Sequence, residues 1–580
     1  MKILLSYLRK YWKLCVLVII LAAINQTFSL LDPLIFRHVI DDYATKFDTY
    51  TLAQFLRGVI FLLSLAVGAA FVSRTAKNFQ DYYLNTVTQR VGAKIYNDGV
   101  EHSLALPYAV FEDQRSGETL GTLQKVRTSS ELFMTMFINL FFVSLIGFIF
   151  VTIYALHIYW GVALVFGLTV PLIGTVSYVL THKVKRIQKI IVAETTALAG
   201  STTESLRNIE LVKSLGLVGQ EINRLNATTD KILALELKKL RYVRSISFVQ
   251  GTMINFLRTL ILAFLLYLMF VRTVTFGEFF SLYFYSFFVF GPLQELGNVI
   301  NSYREAQVAL GLFHGIMAMP IEPAPESPKE IAHITSLEFE NVSFQYASAK
   351  NPALENISFD AKAGETIAFV GPSGAGKTSL VKLLVGLYEP KEGVVNYNNI
   401  SGRELDMNTL RTQFGFVTQD TQLFAGSIRE NLLFVNPTAS EAECLDALEK
   451  SAAMSILARG DKGIDTLIGE GGVKVSGGEK QRLSIARALL RKPAILIFDE
   501  ATSSLDSITE EEITKTIRDV SEGANRITIL IAHRLSTIMH ADRIYVLEKG
   551  SVAEVGPHAE LLAAKGLYYA MWRQQIGERV

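Results

Sequence analysis

Apolar residues crowd the first half of the chain and thin out after about residue 305. Six long apolar stretches stand out there: Leu14–Ile40, Phe55–Phe71, Leu132–Leu156, Tyr159–Leu180, Ile246–Val271 and Phe276–Asn301. A helix of about 20 residues rises about 30 Å, enough to cross the hydrocarbon core of a bilayer. The pattern therefore predicts six transmembrane helices, the second continuing as helix past Phe71. Before them, Leu4, Leu5, Leu8 and Trp12 recur at helical spacing among Lys2, Arg9, Lys10 and Lys13. That start resembles a secretory leader. The apolar pattern runs on past Ala23 into a full span, so an amphipathic helix on the membrane surface is expected instead.

Between the spans lie two long polar segments, 73–131 and 181–245, periodic and nearly free of helix breakers. They read as helices running on from the spans, bending near LPYAVFEDQRSGE and LRNIELVKSLG. Both are rich in Lys and Arg, whereas the alternate connections are short and hold little beyond Lys46 and Arg272. Basic residues mark the cytosolic side. Both termini are thus expected in the cytosol of a multi-pass protein of the cell membrane, plasma or inner. MPIEPAPESPKE breaks the helical pattern with prolines. The expected domains are residues 1–318 in the membrane, a linker at 319–335 and a soluble α/β domain at 336–580.

Charge narrows the function classes. The chain has 56 basic and 55 acidic residues, net +1. A general nucleic-acid binder needs a basic surplus, so no nucleic-acid partner is expected. Cys15 and Cys444 are the two cysteines, too far apart for a zinc motif or a disulfide framework, and read as ordinary buried residues.

The chemistry sits in the soluble domain. Thr366–Val370 reads as a buried strand, GPSGAGKT follows at Gly371–Thr378, and a helical pattern comes next. This is the GxxxxGK[ST] phosphate loop. Gly371, Ser373, Gly374, Gly376, Lys377, Thr378 and Ser379 are the candidate ATP ligands. Glycines let backbone N–H groups approach phosphate, Lys377 brings a point charge, and the Thr378 hydroxyl suits Mg²⁺. A second strand, Ala494–Phe498, ends in Asp499 and Glu500. Asp499 is the expected Mg²⁺ partner, and Glu500 the base that takes a proton from attacking water.

Val475, Ser476, Gly477, Gly478 and Glu479 resemble the signature motif LSGGQ of ATP-binding cassette (ABC) proteins, with Val for Leu and Glu for Gln. With six spans and two long loops, nearly the whole chain resembles a half-transporter of the type I ABC exporters, the type IV fold. The resemblance implies an α-helical membrane domain, its helices extending into the cytosol, and an α/β P-loop cassette with a helical subdomain. By the same resemblance, Tyr346 stacks on adenine and Gln419 reaches Mg²⁺. Gly469 and Glu470 touch the membrane domain, while Ser504, Leu505 and Asp506 link the two ATP sites. His533 contacts the γ-phosphate with Glu500 as the catalytic pair. Ser476, Gly477, Gly478 and Glu479 bind the nucleotide held by a partner half.

The expected activity is ATP-driven export of an amphiphile, a drug, lipid or similar molecule, by alternating access. Intact catalytic positions favour a homodimer, with a heterodimer open. A peptide or siderophore transporter, which includes an importer, stays open, as does an ATP-gated channel or regulator. The last span carries nine aromatics, and Tyr283 with Phe287, at i, i+4 spacing, are the candidate substrate contacts. Asp32, Arg37 and His38 are either intramembrane charges, which mark function, or lie at the extracellular mouth, the favoured placement.

Overall fold

A computed structural model of the chain describes all residues but 114, 115, 324, 420, 461, 470–472, 502–506, 523, 524, 533 and 577–580. It divides into two units, Met1–Ala105 with Arg115–Met319, and Leu106–Gln114 with Pro320–Val580.

The first unit is helical because its apolar runs carry few breakers and, in lipid, the backbone must satisfy its own polar groups. α1 (Lys2–Arg9) is amphipathic and buries Leu4. α2 (Trp12–Ser29) passes through Leu30 into α3 (Leu31–His38), with Pro33 tolerated in the first turn. The Tyr285 hydroxyl donates to the Leu30 carbonyl at that break, at 2.6 Å. A wide π-type turn, Val39–Tyr43, follows. α4 (Leu52–Leu104) is 53 residues long, opened by a reciprocal cap between Thr51 and Gln54. α5 (Tyr108–Asp113) belongs to the second unit. α6 (Ser116–Met136) leads through a second π-type stretch, Phe137–Phe142, into α7 (Val143–Ile158). α8 (Trp160–Arg207), the short α9 (Ile209–Ser214) and α10 (Val218–Phe270) come next. α11 (Phe276–Met317) is capped by Thr275 and Glu278 and contains Pro292. Among the described residues, four helices are long and apolar enough to cross a bilayer: Trp12–Thr49, Leu52–Leu104, Gly121–Ile158 and Val218–Phe270. The other two apolar stretches lie on α8 and α11.

Polar side chains tie three of these helices together near the start of α11. Arg37 pairs with Glu278 at 2.6 Å, and the Tyr154 hydroxyl shares a hydrogen bond with Ser281 at 2.7 Å. Gly277 N–H donates to Asp41 at 2.7 Å, and His38 faces Asp42. Asp32 is not part of this cluster.

The second unit is α/β. Its strands are β1 (Ser336–Phe344), β2 (Leu354–Lys362), β3 (Thr366–Val370), β4 (Glu392–Tyr397), β5 (Ile400–Ser401) and β6 (Phe414–Val417). After them come β7 (Gly426–Ser427), β8 (Leu467–Ile468), β9 (Ile495–Asp499), β10 (Ile527–Ile531), β11 (Arg543–Glu548) and β12 (Ser551–Gly556). One sheet runs β12-β11-β3-β10-β9-β6, a second β2-β1-β4-β5, and β7 pairs with β8. In the larger sheet β11, β3, β10, β9 and β6 are parallel. β3, β9 and β10 are wholly buried, as expected for continuous apolar strands covered on both faces. α12 (Lys377–Leu384) follows β3 and α13 (Met407–Arg411) precedes β6. α14 (Ile428–Leu433), α15 (Glu441–Lys450), α16 (Met454–Ala458) and α17 (Gly477–Leu490) form a helical subdomain. Its small core holds Ile428, Leu432, Cys444, Leu448, Ile456 and Leu483.

Candidate functional site

Parallel strands all end at one edge of their sheet, and ligands of such sheets bind outside that edge. Phe369 of β3 stands opposite Ile531 of β10, Ile531 opposite Asp499 of β9, and Phe498 opposite Val417 of β6. The segments that leave these four strands therefore start side by side. They carry the phosphate loop, Asp499 with Glu500, and Gln419.

The phosphate loop needs its glycines. Gly374 and Gly376 have φ of 82° and 102°. A Cβ on Gly376 would lie 2.6 Å from the Ala353 carbonyl, and one on Gly371 would lie 2.2 Å from the Leu547 carbonyl. Gly376 caps α12, so Lys377 and Thr378 open the helix, and its N-terminal N–H groups face outward for anions. Lys377 is only 4% exposed. Its ammonium donates to the carbonyls of Gly371 at 2.9 Å and Pro372 at 3.2 Å. Burial lowers its pKa, while Glu500 and Asp499 act in the opposite direction. Ser373 and Thr378 are exposed, and Ser379 is buried beneath them.

Asp499 is buried at the end of β9, and its pKa is pushed up to about 6, first by burial and then by the Glu500 carboxylate. Glu500 is also buried and sits at φ 50°, its N–H donating to Ile531 O at 2.8 Å. Burial and the neighbouring carboxylate together make Asp499 a group that favours a cation beside it. The donor set expected for Mg²⁺, the Thr378 hydroxyl, the Gln419 amide oxygen and Asp499, consists of hard oxygens. Among the described residues no cluster of three or more His, Cys, Asp or Glu could hold a metal alone. One carboxylate with hydroxyl, amide and phosphate oxygens fits Mg²⁺, which keeps few protein carboxylates. Gln419 is exposed, just beyond β6.

Tyr346 is partly buried, and its hydroxyl shares a 3.0 Å hydrogen bond with Ser379. Its ring meets Phe344 and Tyr388 edge-on at 4.9 and 5.4 Å. The Lys382 ammonium lies 5.4 Å from the Tyr346 ring, 5.8 Å from Tyr388 and 5.6 Å from Tyr108 on α5. Sequence reasoning missed Lys382, Tyr388 and Tyr108, which carry no spacing signal linking them to Tyr346.

Ser476 caps α17, so Gly477 and Gly478 present the first N–H groups of that helix. The cap is reciprocal. Glu479 accepts from Ser476 N–H at 2.8 Å, and the Ser476 hydroxyl accepts from Glu479 N–H at 3.3 Å. The serine hydroxyl hydrogen stays available to an anion. Arg459 adds an ion pair to Glu479 at 2.5 Å. Burial raises the Glu479 pKa, but the hydrogen bonds from Ser476 and the Arg459 charge outweigh it and hold the group below its ordinary value. Arg459 was not foreseen from sequence.

His533, Asp506, Ser504, Leu505 and Glu470 lie outside the described residues. Tyr283 and Phe287 meet edge-on at 5.4 Å, and the Arg258 guanidinium stands 4.5 Å from the Phe287 ring.

A family model described as ABC transporter matches residues 354–503, and one described as ABC transporter transmembrane region matches 15–293. The beta-(1→2)glucan export ATP-binding/permease protein NdvA of Rhodopseudomonas palustris (strain BisB5) is 31% identical over 97% of this chain and 93% of its own length. The ATP-dependent lipid A-core flippase of Methylobacillus flagellatus is 30% identical over 99% and 96%. The solved structure of a bacterial Atm1-family ABC exporter with ATP bound superposes with a TM-score of 0.86 at 28% identity, covering 98% of both chains.

Proposed function

This chain belongs to the ABC transporters and couples ATP hydrolysis to export across a membrane, and from that premise we propose that its cargo is an amphiphile moved by alternating access in a dimer of two such halves. Residues 1–318 form the membrane domain, 319–335 the linker and 336–580 the cassette, with both termini cytosolic in the plasma or inner membrane. The basic loops 73–131 and 181–245 support that orientation.

Each half supplies two parts of an ATP site. The phosphate loop holds the β and γ phosphates on Lys377 and the first N–H groups of α12, with Tyr346 on the adenine. Thr378, Gln419 and Asp499 would hold Mg²⁺, which supplies charge neutralisation at the phosphates. Glu500 orients and deprotonates the attacking water, and His533 contacts the γ-phosphate. Ser476, Gly477, Gly478 and Glu479 close over the nucleotide of the other half, and Asp506 links the two sites. ATP binds the joined cassettes better than the separate ones, and only such differential affinity can shift the equilibrium. Hydrolysis removes the γ-phosphate that joins them.

The observation that carries the reading is the buried Lys377, held over its loop by two carbonyls at the sheet edge where Asp499 and Glu500 also emerge. Tyr283 and Phe287, with Arg258 against the latter, are the proposed cargo contacts. The names of the relatives, a glucan exporter and a lipid A-core flippase, support cargo with large or amphiphilic bodies. The test is ATP turnover of the reconstituted protein across lipids, drugs, peptides and siderophores. Stimulation by amphiphiles, reduced by Tyr283→Ala or Phe287→Ala, is the expected result. Stimulation confined to peptides or siderophores would replace the amphiphile.

A further inference from the structure

A cavity of about 570 Å³ opens among α3, α4 and α11. Its size falls within the roughly 300–1,000 Å³ range of small-molecule sites. Phe36, Ala66, Val67, Phe284 and Phe288 supply apolar wall, and Asp32 is the one charged residue among those lining it. The proposed cargo pair, Tyr283 and Phe287, does not line this cavity; the next residue after each of them does.

Asp32 is out of place there unless something answers its charge. Arg37 is engaged by Glu278 and His38 by Asp42. Among the described residues no hydrogen bond or ion pair reaches the Asp32 side chain. Its depth sharpens the point. Asp32 shares the cavity with Ala66, near the middle of the apolar run of α4 between Arg57 and Arg74. It also lies five residues, about 7.5 Å of helix rise, in from Arg37. An ionisable group at such a depth calls for a partner.

We propose that this cavity binds a lipophilic organic cation, with its positive centre on Asp32 and its apolar body against Phe36, Phe284 and Phe288. Charge selects the occupant. An anionic amphiphile is repelled by the carboxylate, and an acyl chain leaves it unanswered. Aromatic faces add attraction for a diffuse cation. The assignment rests on the reading of the chain as an amphiphile transporter.

The probe is tetraphenylphosphonium, titrated at pH 7 onto the whole protein in phosphatidylcholine nanodiscs, with empty nanodiscs as the blank. Saturable binding is expected. Asp32→Asn weakens it by about tenfold, the equivalent of a single charge contact; Asp32→Glu restores most of it, and Ala66→Trp, which puts a bulky ring into the cavity, weakens it at least as much as Asp32→Asn. Equal binding by wild type, Asp32→Asn and Ala66→Trp, or no binding above the blank, would show that the cavity does not hold the cation on Asp32 and overturn the assignment. ATP turnover of the wild type in the same discs separates the two claims. Turnover stimulated by neutral amphiphiles without Asp32-dependent cation binding sinks the cavity assignment only. Absence of stimulation by any amphiphile sinks the broader reading.

Discussion

Glu479 changes how the signature helix is held. A glutamine at this position would keep a neutral acceptor for Ser476 N–H and lose the Arg459 ion pair. The glutamate caps the helix with a charge. Arg459 is about half exposed, so solvent weakens its share. Glu479→Ala is expected to cost about 1 kcal/mol, the usual value of a lost cap, and Glu479→Gln less. The pH dependence has a definite sign. The folded state holds Glu479 below its ordinary pKa. Its contribution is therefore complete above the unfolded value of about 4.3 and disappears as pH falls through the lower folded value. Thermal unfolding at pH 7 and at stepwise lower pH checks this: the gap between wild type and Glu479→Gln should shrink on acidification, and a constant gap would refute the charged cap. Glu500→Gln should slow ATP turnover by at least about 100-fold, the scale of lost acid–base help, with nucleotide binding intact; near-normal turnover removes Glu500 from its role. Gly376→Ala forces a Cβ onto the Ala353 carbonyl at positive φ. It should cost about 1–3 kcal/mol in thermal unfolding and weaken ATP binding. At this scale phosphate chemistry dictates the residue types expected at Lys377, Thr378 and Asp499, and the fold places them at the start of α12 and the end of β9. The sequence was silent on Arg459, because an ion pair between residues 20 apart in the sequence leaves no periodic trace.

Among the elements, the linker is the least like its sequence pattern. Prolines mark the end of α11 correctly, yet the segment after it is strapped to the cassette. Arg411 at the end of α13 pairs with Glu322 at 2.6 Å and donates to the carbonyls of Val385 and Gly386. Lys329 N–H donates to Glu404 O at 2.9 Å, and the two side chains pair as well. Arg411→Ala would leave two carbonyls and a half-buried carboxylate without their partner. A loss of about 2 kcal/mol is expected, more than for a surface pair and less than for a fully buried one, together with faster proteolysis after Met319. Unchanged unfolding and cleavage would mean the strap is incidental. No motif announces such a strap, since its residues come from three separate stretches of chain. The long helices were legible from length and apolar content. Their π-type turns at Val39–Tyr43 and Phe137–Phe142 were not, because one extra residue per turn leaves no distinct sequence pattern.

For the whole molecule, the transport mechanism proposed above depends on something a single chain does not contain, the pairing of one phosphate loop with the signature of another. Sequence carries both halves of that site in the order the family uses, and the fold puts each at the start of a helix, Gly376 before α12 and Ser476 before α17. The partner's identity and the cargo leave weaker marks, because many aromatic arrangements suit many amphiphiles. The most direct test is a structure of Glu500→Gln trapped with Mg²⁺ and ATP in nanodiscs. Each nucleotide should lie between Lys377 of one protomer and Ser476 of the other, its γ-phosphate within hydrogen-bond reach of both. Cassettes that stay apart with ATP bound on Lys377 alone would contradict the account.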